Sequence, residues 1–162
     1  MKLLEKNHEL LGNQIFLNFL TNFNLPVVIT NENGFVEFVN GNFCSKSGFS
    51  PSLVIGKKPA IWRTDAHTKT FYENMWMDIL EGKVWNGDVR NKRFHRGTYD
   101  THMTIIPIEG SCGIKHFVAI HQPMDRNYIA LKNLHRLYKK SRIGINHWIG
   151  DTIPVGYPFA AG

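Results

Sequence analysis

The chain has 162 residues, 43% of them hydrophobic, and its 19 lysines and arginines against 13 acids give a formal net charge of +6. A chain of this length and apolar content builds one compact core, which excludes a disordered segment and a two-domain enzyme. The leucines of the opening MKLLEKNHELLGNQ are broken by charges and no long apolar run follows, so neither a membrane span nor a secretory leader is expected.

Residues 3–22 set Leu4, Leu11, Ile15 and Phe19 near helical spacing, an amphipathic helix whose apolar stripe needs a partner. A strand over 26–31, the turn residues Asn31-Glu32-Asn33-Gly34 and a second strand over 34–39 read as a hairpin. From Gly41 to Gly56, glycine and proline recur too often for long elements, so short helical turns are expected. Over 68–81, Phe71, Tyr72, Met75, Trp76, Ile79 and Leu80 follow a helical stripe, which Gly82 ends. Three strands over 84–94, 98–108 and 113–122 form an antiparallel meander, and 125–142 is an exit helix with Tyr128, Leu131, Leu134 and Tyr138 on one stripe.

The expected organisation is a helix at 1–24, a central domain at 25–123, a connector helix at 124–143 and an irregular tail at 144–162. The order predicts an α+β fold, one five-stranded antiparallel sheet with helices on one face and flanking N- and C-terminal helices. Between sheet and helices lies the natural place for a pocket. Most of the positive charge falls on the exit helix, where Arg126, Lys132, Arg136, Lys139, Lys140 and Arg142 face one acid. Cations at a helix end suit its dipole, so a solvated connector is preferred to a nucleic-acid surface. Cys44 and Cys112, without a CxxC motif, fit free thiols and a cytoplasmic address.

Strand parity points at the pocket. In 84–94 the even positions Asn86, Asp88, Arg90 and Lys92 are polar, so Trp85, Gly87 and Val89 turn inward, and Asn91 turns inward with them. An unpaired buried amide costs roughly 1 to 3 kcal/mol, so Asn91 needs either a backbone or water partner or a planar heterocycle with a polar edge. In the next strand Thr101, Met103 and Ile105 form the inward row. In the last, both rows are largely apolar, and periodicity leaves the buried one open. No nucleophile with a base, no phosphate loop and no metal-ligand spacing emerges, so an enzyme is not expected.

The stretch VVITNENGFVEFVNGNFCSKSGFSPSLVIGK resembles the opening hairpin and the Asn, Phe and Gly-hydrophobic-Ser pattern of a PAS domain, and FYENMWMDILEGKVWNGDVRNKRFHRGTYDTHMTIIPI resembles its long helix and following hairpin. That family implies sensing in signal transduction, as an input module attached to an output domain or partner protein. The pairing of Trp76 with Asn91, together with Trp85, is similar to FAD-binding PAS domains of aerotaxis receptors and of the redox sensor controlling nitrogen fixation. The resemblance implies a non-covalent FAD held by Asn91, Trp76, Trp85 and His121, with Thr101 and Met103 on the inward row; FMN or no ligand are the alternatives. For Trp76, plain core and flavin wall weigh equally. GKKPAIWRTDAH lacks the Asn-Cys-Arg-Phe-Leu-Gln segment of the light-oxygen-voltage photosensors, so adduct photochemistry is not expected, and the long helix has no histidine for haem. A homodimer through the flanking helices is implied. The reading from another class is a ligand-free PAS module that mediates dimerisation or docking.

Overall fold

The computed structural model describes residues 14–110 and 112–124, all within one compact unit, Met1–Met124. The start of the first helix, the exit helix and the tail lie outside the described residues. Strands β1 (Val27–Asn31), β2 (Val36–Val39), β3 (Trp85–Lys92), β4 (Thr98–Gly110) and β5 (Gly113–Pro123) form one antiparallel sheet in the order β2-β1-β5-β4-β3. Residues 14–22 are helical and are called α1. Between β2 and β3 come α2 (Gly41–Ser47), α3 (Pro51–Val54), a 3-10 turn (Pro59–Trp62) and α4 (Lys69–Leu80). This is the expected α+β architecture.

Local chemistry sets the boundaries. The Asn31 side chain accepts from the backbone N–H of Asn33 and of Phe35, both at 3.0 Å, which closes the β1–β2 turn as an Asx turn. Asn40 caps α2 by accepting from Phe43 N at 3.0 Å, and Thr68 caps α4 by accepting from Phe71 N at 3.2 Å. Prolines at the first helical positions of α3 and the 3-10 turn cost nothing, because those N–H groups have no intrahelical partner.

Each face of the sheet has its own core. On the inner face, Val28, Val36 and Val39 pack with Phe43, Phe49, Val54 and Trp62 of the helical block, and Ile105 and Phe117 pack under Tyr72, Met75 and Ile79 of α4. On the outer face, Val27, Ile29 and Val118 cluster with Leu20 of α1, with Phe23 and Ile120 beside them. Both rows of β5 are therefore covered. That is why its sequence alternates between two largely apolar rows, and the structure assigns Phe117, Ala119 and His121 to the inner one.

Candidate functional site

Beneath α4, the inner face of the sheet leaves a cavity of about 320 Å³. This lies at the small end of the roughly 300 to 1,000 Å³ typical of ligand sites. Its floor is made by Val28 and Thr30 of β1, Phe117, Ala119 and His121 of β5, Met103 and Ile105 of β4, and Val89 and Asn91 of β3. Tyr72, Met75, Trp76 and Ile79 of α4 form the roof, and Lys58, Pro59, Ala60, Trp62 and Arg63 the remaining side.

Most of this lining is apolar, yet four polar atoms of its residues, Thr30 Oγ1, Tyr72 Oη, Asn91 Nδ2 and His121 Nδ1, are buried without a hydrogen-bond partner among the described residues. Buried polar groups in native proteins are almost always paired, so four orphans on residues that line one hollow point to a guest that pairs them. His121 is fully enclosed, and desolvation pulls its pKa down from 6.5 to about 4, so the imidazole is neutral at cellular pH. A neutral imidazole donates from one nitrogen and accepts at the other. Its ring meets Phe43 edge-on at 6.0 Å, and its backbone N–H donates to Pro26 O at 2.9 Å.

Of the residues singled out from sequence, Asn91, Trp76, Met103 and His121 line the cavity together, and Trp85 and Thr101 are not among its lining residues. The Trp85 indole folds along its own strand over Gly87 and meets Phe71 edge-on at 5.6 Å. Thr101 is buried on the inner side but donates its hydroxyl to Gln122 O at 2.7 Å, which joins β4 to β5.

Other contributors carried weaker sequence signals. Thr30 continues the inward row of Val28, and Tyr72 belongs to the apolar stripe of α4, so both were within reach of parity and periodicity. Arg63 was not, since it follows a 3-10 turn whose exit direction leaves no periodic trace. Its guanidinium carbon lies 3.7 Å from the Tyr72 ring centroid, a cation–π contact at the side of the cavity. Lys58 and Arg63 bring positive charge to this lining, and no carboxylate among the described residues lines it. Among the described residues no group of three or more His, Cys, Asp or Glu could hold a metal ion, and no helix is long and apolar enough to cross a membrane.

A five-stranded antiparallel sheet roofed by a helix, with a small polar-studded hollow between them, defines a ligand-cavity module. Residues 24–122 match the family model of the PAS domain, so the chain belongs to the PAS family, whose members serve as sensory domains of signalling proteins. Two nitrogen fixation regulatory proteins, from Klebsiella oxytoca and Klebsiella pneumoniae, are 21% and 20% identical over 115 residues, covering 70% of this chain and 23% of each relative. The chain thus spans about a quarter of the length of these relatives. An RNA-binding light-oxygen-voltage receptor superposes with a TM-score of 0.66 at 13% identity, over 80% of this chain and 38% of that one. The light state of the blue-light photoreceptor Aureochrome1 LOV domain gives 0.60 at 16% identity, over 73% of this chain and 95% of that one. Both likenesses concern the fold.

Proposed function

We propose that this PAS domain holds a flavin, FAD, non-covalently in the cavity between α4 and the sheet, and acts as a redox or oxygen sensor rather than a catalyst. The observation that carries the reading is the set of orphaned polar atoms, Asn91 Nδ2 and His121 Nδ1 above all, in an otherwise apolar hollow. The residues present suit such a group. A flat ring system needs apolar walls, which Trp76, Met103 and Ile105 supply, and a polar edge needs the carboxamide of Asn91. Trp85 and Thr101 act from outside the lining, Thr101 by joining β4 to β5. Lys58 and Arg63 match a phosphate-bearing ligand. The similarity to nitrogen fixation regulatory proteins agrees with this reading.

When bound, a flavin supplies a ring whose oxidation state decides which of its nitrogens carry protons. Asn91 would hold the ring by donating from Nδ2 to an acceptor on it. His121, neutral and enclosed, can donate from one ring nitrogen or accept at the other, and would turn or lose a bond if the atom it paired with changed its proton. Movement of His121 acts on its neighbours: Phe43 on one side, and through its backbone Pro26, at the junction of α1 and β1. Val118 and Ile120 of the same strand pack against the α1 side, so a two-state shift in β5 is felt by the flanking helix. Dimerisation through the flanking helices, an attached output domain and a cytoplasmic address complete the reading. The exposed Ile15 and Phe19 of α1 offer an apolar surface for the dimer.

The decisive experiment is an absorbance spectrum of the freshly purified protein. Bands in the blue and near ultraviolet are expected, and Asn91→Ala should lower flavin retention about tenfold, the loss of one buried hydrogen bond. Aromatic absorption alone, with no uptake of added FAD, would leave the ligand-free docking module as the reading.

A further inference from the structure

Asn91 has a neighbour that the ligand reading does not use. Tyr99 pairs with it directly across β3 and β4, and side chains opposite each other in an antiparallel pair share one face with Cβ atoms about 4.5–5.5 Å apart. Both residues are buried, Asn91 at 5% and Tyr99 at 6% exposure. Asn91 Nδ2 and the Tyr99 hydroxyl are each without a hydrogen bond of good geometry among the described residues. Two orphans this close are not independent. A phenol oxygen accepts while its proton donates, and a carboxamide offers two N–H groups and a carbonyl, so a small rotation joins them.

The phenol already feels its neighbour: burial pushes its pKa up to about 12, while Asn91 and Arg93 act in the opposite direction. The ring is held in place. The Arg93 guanidinium lies 5.3 Å and the Lys46 ammonium 5.9 Å from its centroid, and Arg93 is itself anchored on the carbonyl of Lys46. On the other side, the backbone of Arg63 bridges to Asn91. The backbones are set by strand pairing, and the last torsion of the carboxamide decides which of its ends meets Tyr99. That torsion is broad and two-fold, so alone it would present the oxygen or the nitrogen end alike.

We propose that Tyr99 is a positioning residue for this cavity: its hydroxyl oxygen accepts one N–H of the Asn91 carboxamide and leaves the other N–H to the guest, and the site thereby selects a ligand whose buried edge is a hydrogen-bond acceptor. The guest's identity rests on the flavin reading above; the coupling of the two side chains does not. The carbonyl edge of a flavin is such an acceptor.

The test uses the full chain, stripped of any bound chromophore and titrated with FAD. Tyr99→Phe keeps the ring and its cations and removes only the hydroxyl. It should weaken FAD binding about tenfold and displace the blue absorption band of the bound ring, whose position responds to hydrogen bonds at its carbonyl edge. In an Asn91→Ala background the same change should weaken binding no further. Unchanged affinity and band in Tyr99→Phe, or an equal added loss in the double variant, would overturn the proposal. If the parent chain takes up no FAD, the flavin reading falls, and a thermal-unfolding cycle of the two single variants and their double decides the coupling. A double loss smaller than the sum supports it, and a simple sum sinks it. Asn91→Ser replaces Asn91→Ala if the latter does not fold.

Discussion

The indole of Trp76 lies against the backbone of Gly34, so closely that a Cβ built on that glycine would fall 2.7 Å from the ring carbon Cη2. Gly34 is the turn residue between β1 and β2, with φ at +80°, and Trp76 is on α4, where it also meets Phe117 edge-on at 5.6 Å. The turn therefore serves two purposes: it reverses the chain and seats the cavity roof. Gly34→Ala adds both left-handed strain and a steric overlap with an indole held on two sides. We expect it to lower stability by about 2 kcal/mol and to change the Trp76 fluorescence. Chemical denaturation with an intrinsic-fluorescence readout checks this; an unaltered midpoint would mean that the turn relaxes around the methyl.

Asn40 is the most heavily bonded side chain at the base of the fold. Its oxygen accepts from Val27 N at 2.9 Å and from Phe43 N at 3.0 Å, and its nitrogen reaches Leu20 O at 3.1 Å and Leu25 O at 2.8 Å. One carboxamide thus ties α1, β1 and α2 together while 2% exposed. Asn40→Ala removes a helix cap and strands several buried backbone groups, so a loss of about 3 kcal/mol or more is expected. Asn40→Asp should give no rescue, because its second oxygen would face carbonyls. Urea midpoints of the two variants measure both effects, and a loss below about 1 kcal/mol for Asn40→Ala would contradict the bonding just described.

The strand and helix pattern was legible because Phe71 to Leu80 and the even-odd alternation of β3 are strong periodic signals, and the inward turn of Asn91 followed from parity alone. β5 was not legible in the same way. Val118 and Ile120 are covered by α1 and Phe117 and Ala119 by α4, so neither row reads as polar. Tyr99 extends the row of Thr101, Met103 and Ile105 by two residues and pairs with Asn91, so the register could have found it once the hairpin was assigned. What alternation cannot report is a side chain that lies along its own strand. Trp85 has the inward parity of a wall residue, yet its indole folds over Gly87.

That fold-back makes a prediction of its own. A Cβ on Gly87 would come within 2.4 Å of the Trp85 ring carbon Cη2, nearer than real atoms approach. Gly87→Ala must therefore push the indole off the strand and disturb its edge-on contact with Phe71, at an expected cost of about 1–3 kcal/mol. The Trp85→Phe, Gly87→Ala double variant, with a smaller ring over the same spot, should recover part of that loss. Equal destabilisation with and without the tryptophan, in thermal melts of the four proteins, would show that the strand and not the ring requires glycine here.

His121 gives the fold a defined response to acid. In the unfolded chain its imidazole takes up a proton near pH 6.5, whereas in the folded chain burial delays this until about pH 4. Between those values the unfolded state binds more protons, so its share of stability is fully present above pH 6.5 and is lost as pH falls toward 4. The interval converts to about 3 kcal/mol. His121→Gln keeps a polar side chain of similar reach but cannot titrate, so its stability should fall less steeply over that window. All other titrating groups are common to both proteins, and the difference between their two pH profiles isolates His121. Parallel profiles from pH 7 to pH 4.5, measured by denaturant unfolding, would mean that the imidazole is solvated rather than enclosed, and the role given to it beside the ligand would go with that result.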